Sequence, residues 1–565
     1  MNRLRSFIRS RYPWAMGAGV VLAASFPKIG IAGFAWIAPA LILLSAIGKS
    51  PKQTFRIGYA AGFAHYLVSL YWLLLIPVTG FPILGWFALA VYLSLYPALW
   101  VWLSWRMFPA RMDSSAGTST FQAWSEQFLS VPWSRRMAWC LFSAAVWVAL
   151  EMTIARLFSG FPWNLLGSSQ YKITPLIQIA SITGIYGVAF LAVWTSLSIL
   201  CAVMVIIRKP TIRSAWIGEI ILPAAVLLAL YGSGYHKLVQ PERQRPELKV
   251  ALIQPSIPQT EIWDRQESSN RFRQLIELSG QALTNEVDLM IWPEAAVPGL
   301  IRMDDDISQP ILDLARKHKV WIIIGADDFK PHPGAVKLSD SDFYNSSFLV
   351  SPEGEFVASY RKRNLVIFGE YIPLAKWLPF MKYLTIITGS FTPGDRVVPY
   401  FLTDLHTRIS PLICFEDVFP DLVPEYVSED TDFLVNLTNN GWFGEGAAQW
   451  QHAAAAVFRT VENGVPLVRA CNNGLTCWID SAGRMRQIFR DAQGSIYGPG
   501  FMLARIPLLE PGEKRIPTFY HQHGDLFGWT CVGITVIQLL RVLLQNRKVR
   551  RAGTTQPVEN TVDKS

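Results

Sequence analysis

The chain has 565 residues, of which 51% are hydrophobic and only 16% are charged. This balance excludes an ordinary soluble protein of that length and indicates a membrane protein with a soluble part. Much of the net charge of +9 lies in short basic clusters beside apolar runs, so it indicates membrane topology and argues against nucleic-acid binding.

Eight apolar runs are long enough to cross about 30 Å of hydrocarbon. They lie near 12–27, 30–48, 57–77, 82–106, 137–157, 184–207, 215–235 and 526–544. The first run follows several arginines and ends near Ala23-Ala24-Ser25, which resembles a signal-peptidase site. Because further runs follow directly, we interpret it as an uncleaved membrane helix.

Lysine and arginine fall in alternate short loops, and this asymmetry predicts the orientation in the membrane. With the N-terminus inside, the inside loops carry the basic residues near 49–56, 106–136 and 208–213. The predicted parts are a membrane domain 1–235 with seven helices, an outside domain 246–515, an eighth helix 526–544 and a basic tail 547–565. In a bacterium this orientation means the inner membrane, a periplasmic domain and two cytoplasmic termini. We expect the tail to be disordered.

Residues 160–182 form an outside loop that is too polar to span the membrane yet rich in apolar side chains. It begins Gly160-Phe161-Pro162-Trp163-Asn164. Two interpretations stay open: a simple connector between helices, or an interfacial segment that lines a lipid site.

Strand and helix patterns alternate through the outside domain, which predicts a layered α/β fold. The predicted strands lie at 248–254, 287–292, 320–325, 346–351, 409–413, 432–438 and 465–470. The predicted helices lie at 268–283, 307–317 and 451–462.

Three chemically reactive residues follow strands of this pattern. Glu294 and Cys414 each end a buried apolar strand, and Lys362 follows Ser359-Tyr360-Arg361. Strand ends of such a sheet converge on one crevice. Taken singly, Glu294 suits a helix cap, Cys414 a buried apolar thiol and Lys362 a solvated charge.

Together, a carboxylate, an ammonium and a thiol can form and break a thioester. We expect Lys362 to favour the thiolate of Cys414 and Glu294 to accept and return its proton. Lys362 and the backbone N–H of Phe415 would hold the oxyanion.

These residues resemble the Glu-Lys-Cys triad of the carbon–nitrogen hydrolase (nitrilase) superfamily. The matching segments are Trp-Pro-Glu294, Tyr-Arg-Lys362 and Ile-Cys414-Phe-Glu416, and Glu370 matches the second glutamate of that superfamily. The resemblance implies an αββα sandwich for the outside domain.

Eight spans around such a domain resemble the apolipoprotein N-acyltransferase family, over nearly the whole chain except 547–565. Further matching segments contain Trp263, Asn345, 439–444 and 472–474. Two positions depart from the family pattern: Ile367 stands where proline is usual, which makes that loop less certainly rigid, and Phe415 stands where tyrosine is frequent.

The resemblance implies transfer of a fatty acyl chain from a phospholipid, typically phosphatidylethanolamine, to the α-amino group of a diacylglyceryl-cysteine at a lipoprotein N-terminus. It implies a ping-pong reaction through a thioester on Cys414. We expect no cofactor, no metal and a monomer.

Two segments of the outside domain are more apolar and aromatic than a water-facing loop. One is 372–387, with Trp377 and Phe380, and the other contains Trp442 and Phe443. We interpret them as arms that enter the headgroup region and gate the site. Packing on the domain itself is the alternative.

Two other functions use the same features. A membrane-anchored amidase would release the acyl group to water, and the apolar arm argues against it. A transporter with an inactive domain would need more ionisable residues in its spans than this chain has.

Cys471 and Cys477 flank a turn, where a disulfide is conceivable, and that pairing stays open.

Overall fold

A computed structural model of the chain describes residues 10–78, 80–110, 121–208, 214–241, 243–262, 264–334, 337–373 and 390–553. The part before residue 240 is helical. Its helices are α1 Tyr12–Ala23, α2 Ala38–Ser45, α3 Pro51–Ser69, α4 Phe81–Leu93, α5 Leu95–Arg106, α6 Phe121–Ser130, α7 Trp133–Ile154, α8 Thr174–Ile177, α9 Ala180–Thr183, α10 Ile185–Arg208 and α11 Ile217–Leu238.

Within the described residues, 5 helical stretches are long and apolar enough to cross a membrane. They are Phe81–Arg106, Trp133–Ile154, Ile185–Ile207, Ile217–Leu238 and Leu526–Leu544. They coincide with five of the eight predicted spans, so the expected count of about eight is not confirmed.

The three remaining runs fall short for local reasons. The run 12–27 gives the 12-residue helix α1. The run 30–48 is divided at Ile37 into a 3-10 turn and the 8-residue helix α2. The run 57–77 belongs to α3, which begins at Pro51, includes two basic residues and ends at Ser69, before a second 3-10 turn.

The described residues after 246 form two six-stranded sheets. The strands are β1 Glu247–Gln254, β2 Leu289–Ile291, β3 Trp321–Pro331, β4 Ser341–Val350, β5 Phe356–Arg361, β6 Tyr400–Leu402, β7 Thr407–Ile413, β8 Phe433–Thr438, β9 Leu467–Cys471, β10 Cys477–Ile479, β11 Met485–Ile488 and β12 Gly500–Pro507. The first sheet has the order β12-β1-β2-β3-β4-β5 and the second β11-β10-β9-β8-β7-β6. The helices are α12 Gln259–Ile262, α13 Ser268–Ala282, α14 Asp305–His318, α15 Ala448–Asn463, α16 Phe519–His523 and α17 Leu526–Gly553.

The two sheets pack face to face, and helices cover their outer faces. Ile323 of β3 and Leu412 of β7 belong to the shared inner core. Ile322 and Ile324 point the other way, into a second core with α13 and α14. This period of two along β3 is what a strand buried on both faces requires. The predicted αββα sandwich is therefore present.

Helix α15 lies between the second sheet and the membrane part. Val457 of α15 shares one core with Leu434 of β8, and Ile177 and Tyr186 of the membrane part belong to the same core. The sandwich and the helical part are consequently packed together without an aqueous layer at this face.

Helix α17 continues beyond the predicted end at residue 544. It includes the basic residues after 547 and ends at Gly553. Leu, Gln, Arg and Lys are good helix formers, so nothing in this stretch stops the helix before the glycine. Residues 547–553 of the predicted tail are therefore helical, and 554–565 lie outside the described residues.

Candidate active site

Glu294 lies at the end of β2, directly against β3. The chain approaches so closely that a Cβ on Gly325 would stand 2.2 Å from the carbonyl oxygen of Pro293. Glycine at 325 therefore allows this contact, and Ala295, with φ 52°, turns the chain away from the sheet. The side chain of Glu294 is buried, with 7% exposed.

Both oxygens of the Glu294 carboxylate accept hydrogen bonds. Oε1 accepts from Asn345 Nδ2 at 2.7 Å and from Lys362 Nζ at 3.3 Å. Oε2 accepts from the backbone N–H of Asn439 at 2.9 Å, across the crevice from the second sheet. The carboxylate is thus held by groups from both sheets.

Lys362 follows β5 and is only 1% exposed. Its ammonium donates to Glu370 Oε1 at 2.8 Å as well as to Glu294. Burial lowers the pKa of Lys362, but the charges of Glu370 and Glu294 outweigh burial and the net pKa is raised. Lys362 is therefore a permanent cation between two carboxylates.

Glu370 is the second of these carboxylates. Its Oε1 also accepts from Asn345 Nδ2 at 2.8 Å, and its Oε2 accepts from the backbone N–H of Val366 at 2.8 Å. The same loop is closed by the N–H of Phe368, which donates to the carbonyl of Tyr371 at 2.8 Å. These bonds hold the loop although Ile367 replaces the usual proline.

Cys414 occupies a sharp turn between β7 and a 3-10 helix, Cys414–Val418. Its φ of 50° lies in the left-handed region, which is strained for a non-glycine residue. Its carbonyl accepts from Asn436 Nδ2 at 2.9 Å and contacts His452 Nε2 at 3.2 Å. The next N–H, that of Phe415, lies in the first helical turn, where N–H groups lack intrahelical acceptors.

The pKa of the Cys414 thiol is raised. Burial is the main cause and the charge of Glu294 adds to it, while Lys362 acts in the opposite direction. The expected effect of the lysine is present, but it does not give a resting thiolate, because burial outweighs it. A base must therefore take the proton when the thiol reacts.

Aromatic rings from the membrane part and from the sandwich meet around Phe415, the residue that follows Cys414. We call this cluster the aromatic floor. It consists of Trp72, Phe161, Trp163, Phe415 and Phe443. The ring centroids of Trp163 and Phe415 are 5.9 Å apart, and those of Trp72 and Phe443 are 4.6 Å apart. The loop 160–182 thus packs, through Phe161 and Trp163, on the residue that follows Cys414.

The family model described as "Carbon-nitrogen hydrolase" matches residues 249–498, and the model "Apolipoprotein N-acyltransferase N-terminal domain" matches residues 18–198. A relative named apolipoprotein N-acyltransferase, from Geobacter metallireducens, is 36% identical and covers 94% of this chain and 95% of its own length. This chain belongs to the apolipoprotein N-acyltransferase family.

Two further relatives of the same name agree with this membership. The relative from Rickettsia prowazekii is 32% identical over 86% of this chain and 89% of its own length. The relative from Vibrio vulnificus is 30% identical over 94% of this chain and 97% of its own length. Among solved structures, an amidase from Nesterenkonia sp. covers 47% of this chain and 92% of its own, with 17% identity and a TM-score of 0.34.

In this family member, Glu416 supports the turn that carries the nucleophile candidate. Its Oε1 accepts from Tyr360 Oη at 2.7 Å and from the N–H of Arg363 at 2.8 Å. Its Oε2 accepts from the N–H of Ile413 at 2.8 Å. Glu416 therefore ties the strand before Cys414 to the strand before Lys362.

A buried ionic network beneath Cys414 was not predicted. His452 Nε2 lies 2.6 Å from Asp417 Oδ1, and Arg469 pairs with the other oxygen of Asp417. Burial raises the pKa of Asp417, but Arg469 and His452 outweigh it and the net pKa is lowered. The available signal was the arginine inside the apolar strand Leu467–Cys471.

Gln451 of α15 connects the sandwich to three segments of the membrane part. Its Oε1 accepts from the indole N–H groups of Trp72 at 3.0 Å and Trp163 at 2.8 Å. Its Nε2 donates to the carbonyls of Pro27 at 2.7 Å and Ser69 at 3.1 Å. This single amide orients two rings of the aromatic floor.

Three predicted site residues fall outside the part of the chain that the structure describes, and two others lie in a short turn. Trp263, Trp377 and Phe380 fall outside the described residues, as does most of the arm 372–387. Trp442 and Phe443 lie in the 3-10 turn Asn440–Phe443 and are partly exposed.

The question of a disulfide concerns the second sheet. Cys471 and Cys477 are both buried free thiols. The Sγ of Cys471 contacts the carbonyl of Leu475 at 3.2 Å. The structure thus contains no bond between them.

Proposed function

We propose that the protein moves a fatty acyl chain from a membrane phospholipid, through a thioester on Cys414, to the α-amino group of a diacylglyceryl-cysteine at a lipoprotein N-terminus. Family membership supports N-acyl transfer to lipoproteins. The observations that support the proposal are the buried Lys362–Glu294 ion pair, the effect of both charges on the Cys414 thiol, and the packing of the next residue, Phe415, on an aromatic floor shared with membrane segments.

In the first half-reaction, Glu294 takes the proton of the Cys414 thiol as the sulfur attacks the ester carbonyl of the phospholipid. The raised pKa of the thiol requires such a base. Collapse of the tetrahedral intermediate breaks the C–O bond, and Glu294 returns the proton to the departing lyso-lipid oxygen. The thioester remains on Cys414.

In the second half-reaction, the amine nitrogen attacks the thioester carbonyl. Glu294 takes a proton from that nitrogen, the C–S bond breaks, and the proton passes to the Cys414 sulfur. The amide product leaves and the thiol is restored, so atoms and charges balance over the cycle. Each half-reaction uses Glu294 once as base and once as acid.

Lys362 and the N–H of Phe415 stabilise the oxyanion of both intermediates in this scheme. Lys362 is a permanent buried cation, and buried charge acts strongly on a developing oxyanion. Glu370 positions Lys362 and the incoming amine, and Asn345 supports Glu370. Glu416 positions the nucleophile turn.

We assign the donor side of the site to the aromatic groups. Phosphatidylethanolamine is the proposed donor, and its acyl chain would lie on the aromatic floor. Trp442, Phe443, Trp377 and Phe380 would gate entry from the lipid, and Trp263 would support the site. Aromatic rings favour the headgroup depth of a bilayer, which suits this role.

For localisation we propose the bacterial inner membrane, with the sandwich in the periplasm, both termini in the cytoplasm and a monomer as the working form. The support is the alternation of basic and non-basic loops along the chain.

The direct test is mass spectrometry of a lipoprotein N-terminus made with and without the protein, together with Cys414→Ala and Cys414→Ser. We expect an N-acyl chain with the wild type only, and an acyl thioester on wild-type Cys414 after incubation with phospholipid alone. Both variants should remain folded in the membrane and form no thioester, because serine is a far weaker nucleophile without a dedicated strong base.

Turnover of the alanine variant near the wild-type rate would exclude Cys414 as the nucleophile. Rapid appearance of free fatty acid, with no product on the peptide, would favour the amidase that releases its acyl group to water.

A further inference from the structure

Asp327 is a third carboxylate beside the candidate triad. It lies on β3, where its Cα partner across the sheet is Asn345 of β4. Directly opposed residues of an antiparallel pair point to the same face, with Cβ atoms about 4.5–5.5 Å apart. Asp327 therefore points to the same side as the amide that bridges Glu294 and Glu370.

The alternation along β3 gives the same position independently. Gly325, two residues before Asp327, is the residue against which Glu294 packs. Residues two apart on a strand lie on one face, separated by about 6.6 Å. Asp328, in contrast, points to the other face, where it pairs with Arg361 at 2.8 Å.

The three carboxylates differ in what they already bind. The oxygens of Glu294 and Glu370 all accept hydrogen bonds from Lys362, Asn345 or backbone N–H groups. Asp327 is partly exposed, and no hydrogen bond or ion pair reaches its carboxylate from any residue that the structure describes. It is a carboxyl group without a described partner, beside two carboxylates and one cation.

We propose that Asp327 binds the ammonium form of the incoming α-amine and takes the first of the two protons that the amine must lose. The proposal rests on the proposed function, because it names the amine-binding residue of that same site. An α-amine enters as R–NH3+, which has no lone pair for attack. Transfer of one proton to the Asp327 carboxylate gives R–NH2 and a neutral carboxyl, and the exposed side of Asp327 then releases that proton to water.

Glu294 takes the second proton later, from the tetrahedral intermediate, and passes it to the Cys414 sulfur. The two carboxylates thus have separate protons to move. Because the two proton transfers are separate, the site has a use for the unpaired Asp327 in addition to the fully hydrogen-bonded Glu294.

The acidity of Asp327 suits this step. Burial and the negative charges of Glu294 and Glu370 raise the pKa of Asp327 to about 7. A free α-amino group has a pKa of about 7.7–8.0, so the transfer between the two groups is nearly balanced. Among the residues that the structure describes, the charged groups that face this region from the neighbouring elements are Glu294, Glu370 and Lys362.

The experiment separates the two half-reactions with the full-length protein in detergent and phospholipid. Wild type and Asp327→Asn are loaded from phospholipid, freed of excess lipid, and then given a diacylated peptide at pH 6.5 to 9. Glu353→Gln is the matched control, because it also removes one negative charge, but from the exposed turn between β4 and β5 and away from the candidate triad.

We expect Asp327→Asn to load Cys414 at the wild-type rate and to transfer to the peptide several-fold more slowly at pH 7. About nine-tenths of an amine with a pKa of about 8 is in the ammonium form at that pH, and the variant neither attracts this form nor offers it a proton acceptor inside the site. The deficit should disappear by pH 9. Hydroxylamine, a neutral nucleophile at pH 7, should discharge both acyl-enzymes equally, and Glu353→Gln should resemble wild type throughout.

Transfer by Asp327→Asn at the wild-type rate at pH 7 would overturn the proposal. So would a deficit that is the same at every pH, or one shared by loading and by hydroxylamine discharge, because either would indicate a structural effect. Asp327→Glu, which keeps the charge, should restore part of the transfer at pH 7. A wild-type protein that loads no acyl group would contradict the proposed function itself, which is a distinguishable result.

Discussion

Replacement of Lys362 by methionine tests the centre of the proposed mechanism. The change keeps the length of the side chain and removes the cation that lies 2.8 Å from Glu370 and 3.3 Å from Glu294. Loss of one oxyanion donor typically reduces the rate by about 10²–10³. We therefore expect thioester formation on Cys414 to fall by at least that factor.

The same change should destabilise the fold in a pH-dependent way. Removal of one partner from a buried ion pair costs about 3–5 kcal/mol. The pKa of Lys362 is raised above its unfolded value, so its stabilising charge is fully present at every pH below about 10. In Lys362→Met the two carboxylates are left facing each other, and protonation at low pH relieves their repulsion. The loss of stability should be largest near pH 7 and smaller near pH 5.

The assay combines acyl loading from labelled phospholipid with thermal unfolding in detergent at the two pH values. Lys330→Met is the matched control, since Lys330 is exposed on β3 and surface changes usually alter stability by less than about 0.5 kcal/mol. A rate loss of less than about tenfold would refute the reasoning. A stability loss that does not depend on pH would refute the assigned charge pairing.

Two further changes separate roles within the site. Glu294→Gln should fail to form the thioester because no base activates the thiol, whereas Glu370→Gln should load slowly and be impaired chiefly in transfer. The measurement is the amount of acyl-enzyme trapped before and after addition of peptide. Normal loading by Glu294→Gln with no loading by Glu370→Gln would exchange the two roles. Gln451→Leu leaves the indole N–H groups of Trp72 and Trp163 and two carbonyls unpaired, at about 1–3 kcal/mol each. It should lower the unfolding temperature and slow loading, and an unchanged unfolding temperature would contradict the role of that amide.

Much of the sandwich could be predicted because its buried strands are continuous apolar runs. The strands before Glu294 and Cys414 lie where the pattern predicted them, at Leu289–Ile291 and Thr407–Ile413. The strand predicted at 320–325 is longer, Trp321–Pro331, because its polar second half is paired along its whole length with β4. Apolar periodicity cannot show such a polar extension, and Asp327 lies in it.

Other parts depend on contacts that sequence spacing does not contain. Asp417 meets His452 and Arg469 across 35 and 52 residues of chain, and nothing local in the sequence pairs them. The expected influence of Lys362 on the Cys414 thiol is present, but the net rise of its pKa could not be predicted, because charge types can be read from a sequence and the extent of burial cannot. The span count has the same origin: hydropathy counts apolar residues and does not register the break at Ile37.

The proposed roles also address a problem that any acyl-enzyme has beside water. A thioester is open to attack by water as well as by an amine, and water is always the more abundant nucleophile. The aromatic floor packs against the turn that carries Cys414, through the stacking of Trp163 on Phe415, and would limit access of water to an acyl group held there. On the other side, the anionic crevice attracts the ammonium form of the amine and gives no such advantage to neutral water. An attraction between two opposite charges about 4 Å apart is worth about 4 kcal/mol at a dielectric constant of about 20. Retention of the acyl group would then lie with the rings, and choice of the amine with the free carboxylate of Asp327.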